Sequence, residues 1–439
     1  MAKIELPWGE ESLEVTLPAS WRVLGERTPA EDPEPADLGD LCARALARPI
    51  DAQRLGDRDL SSSRVVLAVD DHSRPTPVAS FIGPVLDELG RAGARDGNME
   101  ILVATGVHRA SSPEEVEQKV GPGPFRRLSW RCHSAYEPEG LADLGSTSRG
   151  TRVLLNRRLL NADLVVCLGA VEPHLLLGFG GGLKMLIPGC AGAETVGRNH
   201  MQGVAPDRFD FVGADVDESP MRQDLEEGAA MLGREVFLVN AAMNARGRPV
   251  RFFCGQPNRA HREATGYVRR QVGLRVPSQA DVVLTNSFPM DTDLRQSIKC
   301  MGNTLHASKP GGVMLGCVRC TEGLGEMPVP DRTLPYPLLR FAVKALGKKR
   351  ILPLVERAKK GEPVEELFIG HFGLQMLRRN HLAVFSDSDR LPPDIGKRMG
   401  MCRSFTRVRE MVDWARTRAP RKATVWVFPY GGASFAPAS

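Results

Sequence analysis

A glycine cluster followed by a single lysine is the part of this chain whose residue types point most directly to chemistry. The segment runs from Glu172 to Gly189 and contains Lys184. Glycine adopts positive φ without strain, and its backbone N–H groups can approach an anion closely. Met185 follows the lysine, where a Walker-type nucleotide loop has Ser or Thr to hold magnesium. The segment therefore predicts a site for another anionic ligand, and the alternative is a tight turn with a solvated lysine. The glycines are Gly178, Gly180, Gly181 and Gly182.

Three of the nine histidines stand near glycines in the same half of the chain. His108 follows an apolar run, residues 99–103, that predicts a buried strand. His174 lies in the glycine segment, and His200 ends the sequence Gly-Arg-Asn-His. A single histidine in such a place is more often a structural residue than a ligand. Three of them favour one shared site.

A fourth segment, residues 70–77, follows a predicted strand at 64–69 and reads Asp-Asp-His-Ser-Arg-Pro-Thr-Pro. Its prolines stiffen the loop. Arg74 and Thr76 have the side chains to bind a carboxylate or a phosphate. His72 in the same loop is a weaker candidate.

These segments together resemble the nickel-dependent lactate racemase family, which comprises 2-hydroxyacid racemases and epimerases. The resemblance rests on Asp-Asp-x-x-Arg-Pro-Thr-Pro, Ala-Thr-Gly-x-His-Arg, the Glu-Pro-His and Gly-Gly-x-Lys-x-x-Ile-Pro-Gly segment, and a later Asn-His. The motifs occur in the family's order and extend over most of residues 60–310.

The resemblance implies a cofactor and the roles of four residues. Lys184 corresponds to the lysine that holds the nickel-pincer nucleotide, a pyridinium mononucleotide with thioamide and thiocarboxylate arms around Ni(II). His200 corresponds to the protein ligand of the nickel, and imidazole with sulfur donors in a planar site suits that ion. His108 and His174 correspond to the paired acid/base histidines.

Further positions follow from the same resemblance. Asp71 and Arg74 fall on the family's Asp-x-x-Arg, and with Thr76 and the four glycines they are expected to bind the cofactor. Gln296 and Lys299 fall on its substrate-binding Gln-Ser-x-Lys, with Arg74 as a further contact. The implied partners are a small 2-hydroxyacid and the enzymes that make the cofactor.

The chain departs from the family in two places. Gly180 stands where many members have serine, and Leu294 with Arg295 stands where the lactate enzymes carry an aromatic residue. An aliphatic residue predicts a larger pocket, and an inward-facing Arg295 would bind a second anionic group. The hypothesis is a substrate larger than lactate, a dicarboxylate or a sugar acid, with lactate itself turned over weakly.

Inverting a 2-hydroxyacid by removing the Cα proton is difficult, because that carbon is not acidic beside an ionised carboxylate. Oxidation avoids the problem: one histidine takes the hydroxyl proton while hydride leaves Cα for the cofactor. The planar 2-keto acid then takes hydride back on either face. Two bases are required, one for each orientation of the hydroxyl, and histidine serves near neutral pH.

Three other function classes are possible alternatives. A zinc hydrolase on His108, His174 and His200 would leave Lys184 and its glycines unexplained. An NAD-dependent dehydrogenase lacks the expected G-x-G-x-x-G after its first strand. A non-racemase relative that binds a hydroxyacid or a nucleotide would keep the fold without needing both acid/base histidines.

Composition excludes several classes. The net charge of +5 is mild, and no block of Lys and Arg suggests nucleic-acid binding. No apolar run reaches the roughly eighteen residues of a membrane span, and no signal peptide is recognised, so we expect a cytoplasmic protein. Nine cysteines suit free thiols in a reducing compartment, and a single C-x-x-C at 317–320 makes a zinc site improbable. The sequence does not indicate an oligomeric state.

Apolar strands alternate with helical stretches along the chain, which predicts an α/β fold. We expect two α/β domains with Rossmann-like parallel sheets, residues 1–274 for the cofactor and nickel and 275–439 closing over the substrate, with the active site in the cleft. The motif loops all follow strands, and open α/β sheets bind ligands beyond the strands' carboxyl ends. Residues 322–365 are predicted to be a lid-like insertion, and 431–439 a mobile tail.

Overall fold

The computed structural model describes residues 2–30, 37–205, 211–325, 327, 329–330, 333–359 and 364–438. The strands are β1 (Ala2–Trp8), β2 (Glu11–Leu17), β3 (Arg22–Glu26), β4 (Val65–Asp70), β5 (Met99–Ala104), β6 (Ser129–Cys132), β7 (Leu141–Ser146), β8 (Arg152–Asn156), β9 (Leu164–Val171), β10 (Pro173–His174), β11 (Gly178–Phe179), β12 (Glu235–Met243), β13 (Pro249–Gly255), β14 (Ala280–Asn286), β15 (Ser308–Cys317), β16 (His381–Phe385), β17 (Arg403–Phe405) and β18 (Thr424–Phe428). The α-helices are α1 (Leu38–Leu46), α2 (Ile82–Arg91), α3 (Pro113–Val120), α4 (Pro122–Arg127), α5 (Arg157–Leu160), α6 (Ala193–Gln202), α7 (Pro220–Ala230), α8 (Pro257–Val272), α9 (Leu294–Ser297), α10 (Lys299–Asn303), α11 (Tyr336–Leu346), α12 (Lys348–Ala358), α13 (Val364–Arg379), α14 (Ile395–Met399) and α15 (Val408–Arg416).

The first of two large sheets has the strand order β13-β12-β9-β4-β5-β6, and all its pairs are parallel except β12 with β13. Strand β4 shows why it is covered on both sides. Val65, Leu67 and Val69 pack into one core with α1 and α2, and Val66 and Ala68 pack into another with α6 and α7. Such continuous apolar strands are typical of parallel sheets with helices on both faces.

The second sheet has the order β17-β16-β15-β14-β18-β3, and every pair in it is parallel. The predicted α/β fold with two Rossmann-like parallel sheets is confirmed. The domain boundary at 274/275 stays a prediction, because the chain does not divide simply there.

The N-terminal residues belong with the second sheet and not with the first. Strand β3 pairs in parallel with β18, and Ile4, Leu6 and Val15 of the β1–β2 hairpin lie in the core on one face of that sheet. Assigning the first residues of the chain to the cofactor domain therefore disagrees with the strand pairing. We propose that residues 2–26 belong to the C-terminal unit.

The C-terminal residues 431–438 are docked, contrary to the expected mobile tail. Phe435 is fully buried and meets Phe179 edge to face, with ring centroids 5.8 Å apart. Its backbone N–H donates to Val272, and its carbonyl accepts from Leu274. Burial of the aromatic ring and these backbone bonds hold the tail against the end of α8.

The predicted insertion is largely helical, since it contains α11 and α12 and leads into α13. Helix α13 packs against α6 of the first half. The helix predicted at 292–307 is instead broken into α9, α10 and a 3₁₀ turn. Within the described residues, each helix is too short or too polar to traverse a lipid bilayer.

Candidate active site

Three neighbouring strands of the first sheet, β9, β4 and β5, end at the same edge and deliver three of the motif loops there. Helix α6 supplies a fourth side chain, and α9 with α10 supplies the wall from the second sheet. Together they line a cavity of about 260 Å³. Eleven of the predicted site residues lie on its lining: Asp71, Arg74, Thr76, His108, His174, Gly181, Lys184, His200, Arg295, Gln296 and Lys299.

His108 is paired with a buried carboxylate. Its Nδ1 lies 2.7 Å from Oδ2 of Asp71, and the other oxygen of Asp71 accepts from the backbone N–H and hydroxyl of Ser73. Burial by itself would raise the pKa of Asp71, but the hydrogen bond and charge of His108 outweigh it and hold that pKa below its usual range. The carboxylate thus favours the tautomer with its proton on Nδ1, in which Nε2 is the basic nitrogen.

His174 has the opposite arrangement. Its Nδ1 accepts from the backbone N–H groups of Leu176 and Leu177, each at 3.2 Å, so a neutral ring carries its proton on Nε2. Burial, reinforced by the charges of Lys184 and Lys299, lowers the pKa of His174 well below its usual value. The ring is therefore neutral at pH 7 and presents an N–H.

His200 has one ring nitrogen bonded to the backbone and the other directed away from that bond. Its Nδ1 donates to the carbonyl of Val196 at 2.7 Å, which leaves the Nε2 lone pair available, and burial lowers the pKa of His200 to about 4. A backbone partner of this kind is the usual way in which a metal-binding imidazole is oriented. Among the described residues, no three His, Cys, Asp or Glu side chains group together as a metal site.

Lys184 lies in a 3₁₀ turn, Gly182–Met185, directly after the glycines. Burial lowers its pKa well below the usual value, and Arg74 and Lys299 act in the same direction, while Glu172 opposes them. A lysine in such surroundings loses its proton more readily than an exposed one, and the deprotonated amine is a nucleophile.

Most of the glycines are needed for the backbone turn and do not line the cavity. Gly181 and Gly182 have φ of 75° and 64°. A Cβ on Gly181 would lie 2.7 Å from the carbonyl of Ala170, and one on Gly182 would lie 2.8 Å from the ring of His261. Only Gly181 of the four lies on the described cavity lining; Gly178, Gly180 and Gly182 do not. Close packing behind the turn accounts for Gly178 and Gly182, whereas a Cβ on Gly180 would meet nothing closer than 3.4 Å.

The predicted substrate-binding residues line the cavity, and they comprise three cationic side chains and one amide. Arg74 lies 3.6 Å from Glu172, and Lys299 donates to Gln296. Burial and the charge of Arg74 lower the pKa of Lys299 to about 8. Arg295 also lines the cavity, whereas neighbouring Leu294 is buried in the core and does not.

Three polar residues that the sequence did not reveal hold the lysine turn from behind. Fully buried Arg222 donates to the carbonyls of Phe179 and Gly181, and His261 lies 2.8 Å from that of Gly180. Asn240 accepts from the N–H of Gly182 at 2.8 Å. They come from α7, α8 and β12 and belong to no motif, so only an unexpected polar residue within an apolar strand or helix face signals them.

A second set holds the loop at 70–77. Lys119 of α3 donates to Asp70 at 3.0 Å and to the carbonyls of Arg74 and Thr76. His72, the weaker candidate, lies 3.2 Å from Ser111 and is not on the described cavity lining. The capping box at the start of α3, predicted from the sequence, orients this helix.

Comparisons with known proteins agree with this geometry. Residues 8–209 match the family model of the lactate racemase N-terminal domain. The chain is 29% identical to lactate racemase of Thermoanaerobacterium thermosaccharolyticum over 329 residues, which is 74% of this chain and 76% of that protein. It is 26% identical to lactate racemase of Lactiplantibacillus plantarum over 283 residues, covering 64% of this chain and 66% of the relative.

Two solved structures share the fold. The lactate racemase apoprotein of T. thermosaccharolyticum superposes with a TM-score of 0.83 at 24% identity, over 99% of this chain and all of the other. A Thermotoga maritima protein superposes with a TM-score of 0.67 at 17% identity, over 93% of this chain and all of the other. Residues 8–209 thus resemble the lactate racemase N-terminal domain, the chain is similar in sequence to two lactate racemases, and it shares the fold of the apoprotein of one of them.

Proposed function

We propose that the protein is an isomerase that racemises or epimerises a 2-hydroxyacid and depends on a nickel-pincer nucleotide. The observation that carries this proposal is the convergence of Lys184, His108, His174 and His200 on one cavity. Both relatives carry the name lactate racemase, which supports racemase activity in this chain.

The residues present fit the cofactor. Lys184, whose pKa is lowered by burial in its turn, would hold the nucleotide covalently, and Nε2 of His200 would give the nickel one donor. When bound, the group would accept hydride from Cα and return it.

The chain's own residues would bind the substrate and move its proton. Arg74 and Lys299 are the cations available for the carboxylate. Nε2 of His108 would accept the hydroxyl proton, and Asp71 would stabilise the resulting imidazolium. His174 would act on the other enantiomer, which requires its Nε2 to exchange a proton and hence its Nδ1 to carry one in place of the bonds from the backbone N–H groups of Leu176 and Leu177. The proton taken by one histidine is matched by a proton returned from the other, so the donating histidine starts doubly protonated.

The rival enzyme classes fit less well. In the described part of the chain the three histidines do not form a metal-binding group, which a zinc hydrolase on them would require. A cytoplasmic location is also part of the proposal, and all nine cysteines are free thiols, as a reducing compartment permits.

Intact mass tests the proposal directly. Protein co-produced with the cofactor-synthesising enzymes should carry an adduct of several hundred daltons, which Lys184→Arg should lack. His200→Ala should keep the adduct and lose nickel. An unmodified wild-type mass, with no racemisation of any 2-hydroxyacid, would refute the proposal, and equal nickel content in His200→Ala would refute the ligand assignment.

A further inference from the structure

The cavity has two chemically different walls. One carries the polar residues of the first sheet's loops and of α9 and α10. The other is formed by α13 and residues 399–402, and all the side chains that these contribute to the described lining are uncharged. The largest of them are Phe368, Ile369, Phe372, Met376, Met399 and Met401.

The apolar wall starts where the catalytic residues end. A Cβ on Gly302 would lie 2.8 Å from both Leu175 and Phe372, so these two side chains meet at one point. Leu175 directly follows His174, and Gly302 lies one helical turn after Lys299 in α10. Phe368 continues the wall, with its ring centroid 5.9 Å from that of Phe372.

The positive charges lie together on the other wall. The charges of Arg74 and Arg295 both lower the pKa of Lys299, and the charge of Arg295 also lowers the pKa of His200. Arg295 therefore belongs to the catalytic end of the cavity. A second carboxylate, or several hydroxyls, directed at the described α13 residues that line the cavity would lose water without gaining a charged or hydrogen-bonding side chain from them, which opposes binding.

On the basis of the proposed racemase function, we propose that the substrate carries a large apolar group on C2, such as a benzyl or branched alkyl group. The group packs against Phe368, Phe372 and the methionines, with the carboxylate on Arg74 and Lys299. Methionine side chains adapt to ligands of different shape. The size agrees with the sequence-based hypothesis of a substrate larger than lactate, but the dicarboxylate and the sugar acid are replaced by an apolar acid.

The first test compares substrates on cofactor-loaded protein. Single enantiomers of 3-phenyllactate, 2-hydroxy-4-methylpentanoate, lactate, malate and gluconate are incubated and analysed by chiral chromatography. Burying a benzyl or isobutyl group should give the first two a kcat/KM above that of lactate by roughly tenfold to a hundredfold. Lactate, malate or gluconate as the best substrate would overturn the inference.

The second test changes the wall. Phe372→Ala should lower the ratio of kcat/KM for 3-phenyllactate to that for lactate by at least about fivefold, because the ring loses its contact. Phe341→Ala, at an exposed position of α11 outside the cavity, is the matched control. If Phe372→Ala does not fold, Phe372→Leu replaces it and should lower the ratio less. An unchanged ratio in a folded variant contradicts the inference.

A binding measurement separates this inference from the proposed function. With protein lacking the cofactor, 3-phenyllactate should raise Tm more than lactate, malate or gluconate at equal concentration. A missing adduct on Lys184 would contradict the proposed function alone. A larger Tm shift with malate, gluconate or lactate would contradict the substrate class alone.

Discussion

The surroundings of His108 and His174 differ in a way that their shared expected role does not suggest. Nδ1 of His108 is hydrogen-bonded to a carboxylate. Nδ1 of His174 accepts from two backbone N–H groups, and this ring lies near several cations. A carboxylate favours the doubly protonated ring, and N–H donors with nearby cations favour the neutral ring. Two histidines with the same expected role therefore have opposite hydrogen-bond partners at Nδ1.

The strongest test of the comparison removes each ring. His108→Ala and His174→Ala should each lower the racemisation rate by about 10²–10⁴-fold, the usual contribution of a general acid/base. The rate is measured by chiral chromatography on protein whose adduct and nickel content match those of the parent. Full activity in either variant would show that another group moves the proton.

Asp71→Asn should remove the carboxylate that distinguishes the surroundings of His108 from those of His174, while keeping a side chain of the same size. The amide can donate to Nδ1 of His108, which would move the ring proton to Nε2 and make His108 resemble His174. We expect about a 10²-fold loss of kcat with nickel content unchanged. Asp59→Asn, at an exposed carboxylate that likewise accepts from a serine two residues on, is the control. Activity within threefold of the parent would contradict the role of Asp71.

Ser73→Ala should have a smaller effect of the same kind. The substitution removes one of the two donors that hold Asp71 and leaves the backbone N–H in place. Loss of one such hydrogen bond predicts a twofold to tenfold decrease in kcat. Ser61→Ala removes the equivalent hydroxyl from Asp59 and should leave kcat unchanged. Equal effects of the two substitutions would argue against a specific role for Ser73.

The smallest test concerns the cations around His174. Lys184→Met, studied without cofactor, should raise the pKa of His174 because one positive charge is removed. A larger fraction of the ring is then protonated at any given pH near 6. The pKa is read from histidine resonances in an NMR titration, with Lys309→Met, on the exposed surface, as the control. An unchanged or lower pKa would mean that the charge of Lys184 does not act on this ring.

The parts of the fold and site that could be predicted are those encoded in short segments. Strand β4 is a continuous apolar run, and its loop at 70–77 carries its own motif, so both were identified. The bond between Asp71 and His108 could not be, because it depends on β4 and β5 lying side by side. Arg222 and His261 were missed for a similar reason: each acts on a turn distant in sequence and resembles an ordinary helical residue where it stands.

The ends of the chain were misjudged because their partners are remote. Strand β3 is short and only partly buried, and it is recognisable as a strand of the second sheet only beside β18. Phe435 in a Gly- and Ala-rich tail resembles a flexible end until it meets Phe179. Local pattern predicts an element, but it does not predict which distant element receives it.

The pairing of β3 with β18 also has a consequence for synthesis on the ribosome. The first sheet is complete once β13 has emerged, so it can fold while the chain is still growing. The second sheet must wait for β18, near the last residues made, and until then β3 has no partner strand and the β1–β2 hairpin lacks the complete sheet face on which it packs. We expect the early strands to be the segment most exposed to misassembly and most in need of a chaperone, since contacts of such long range form slowly.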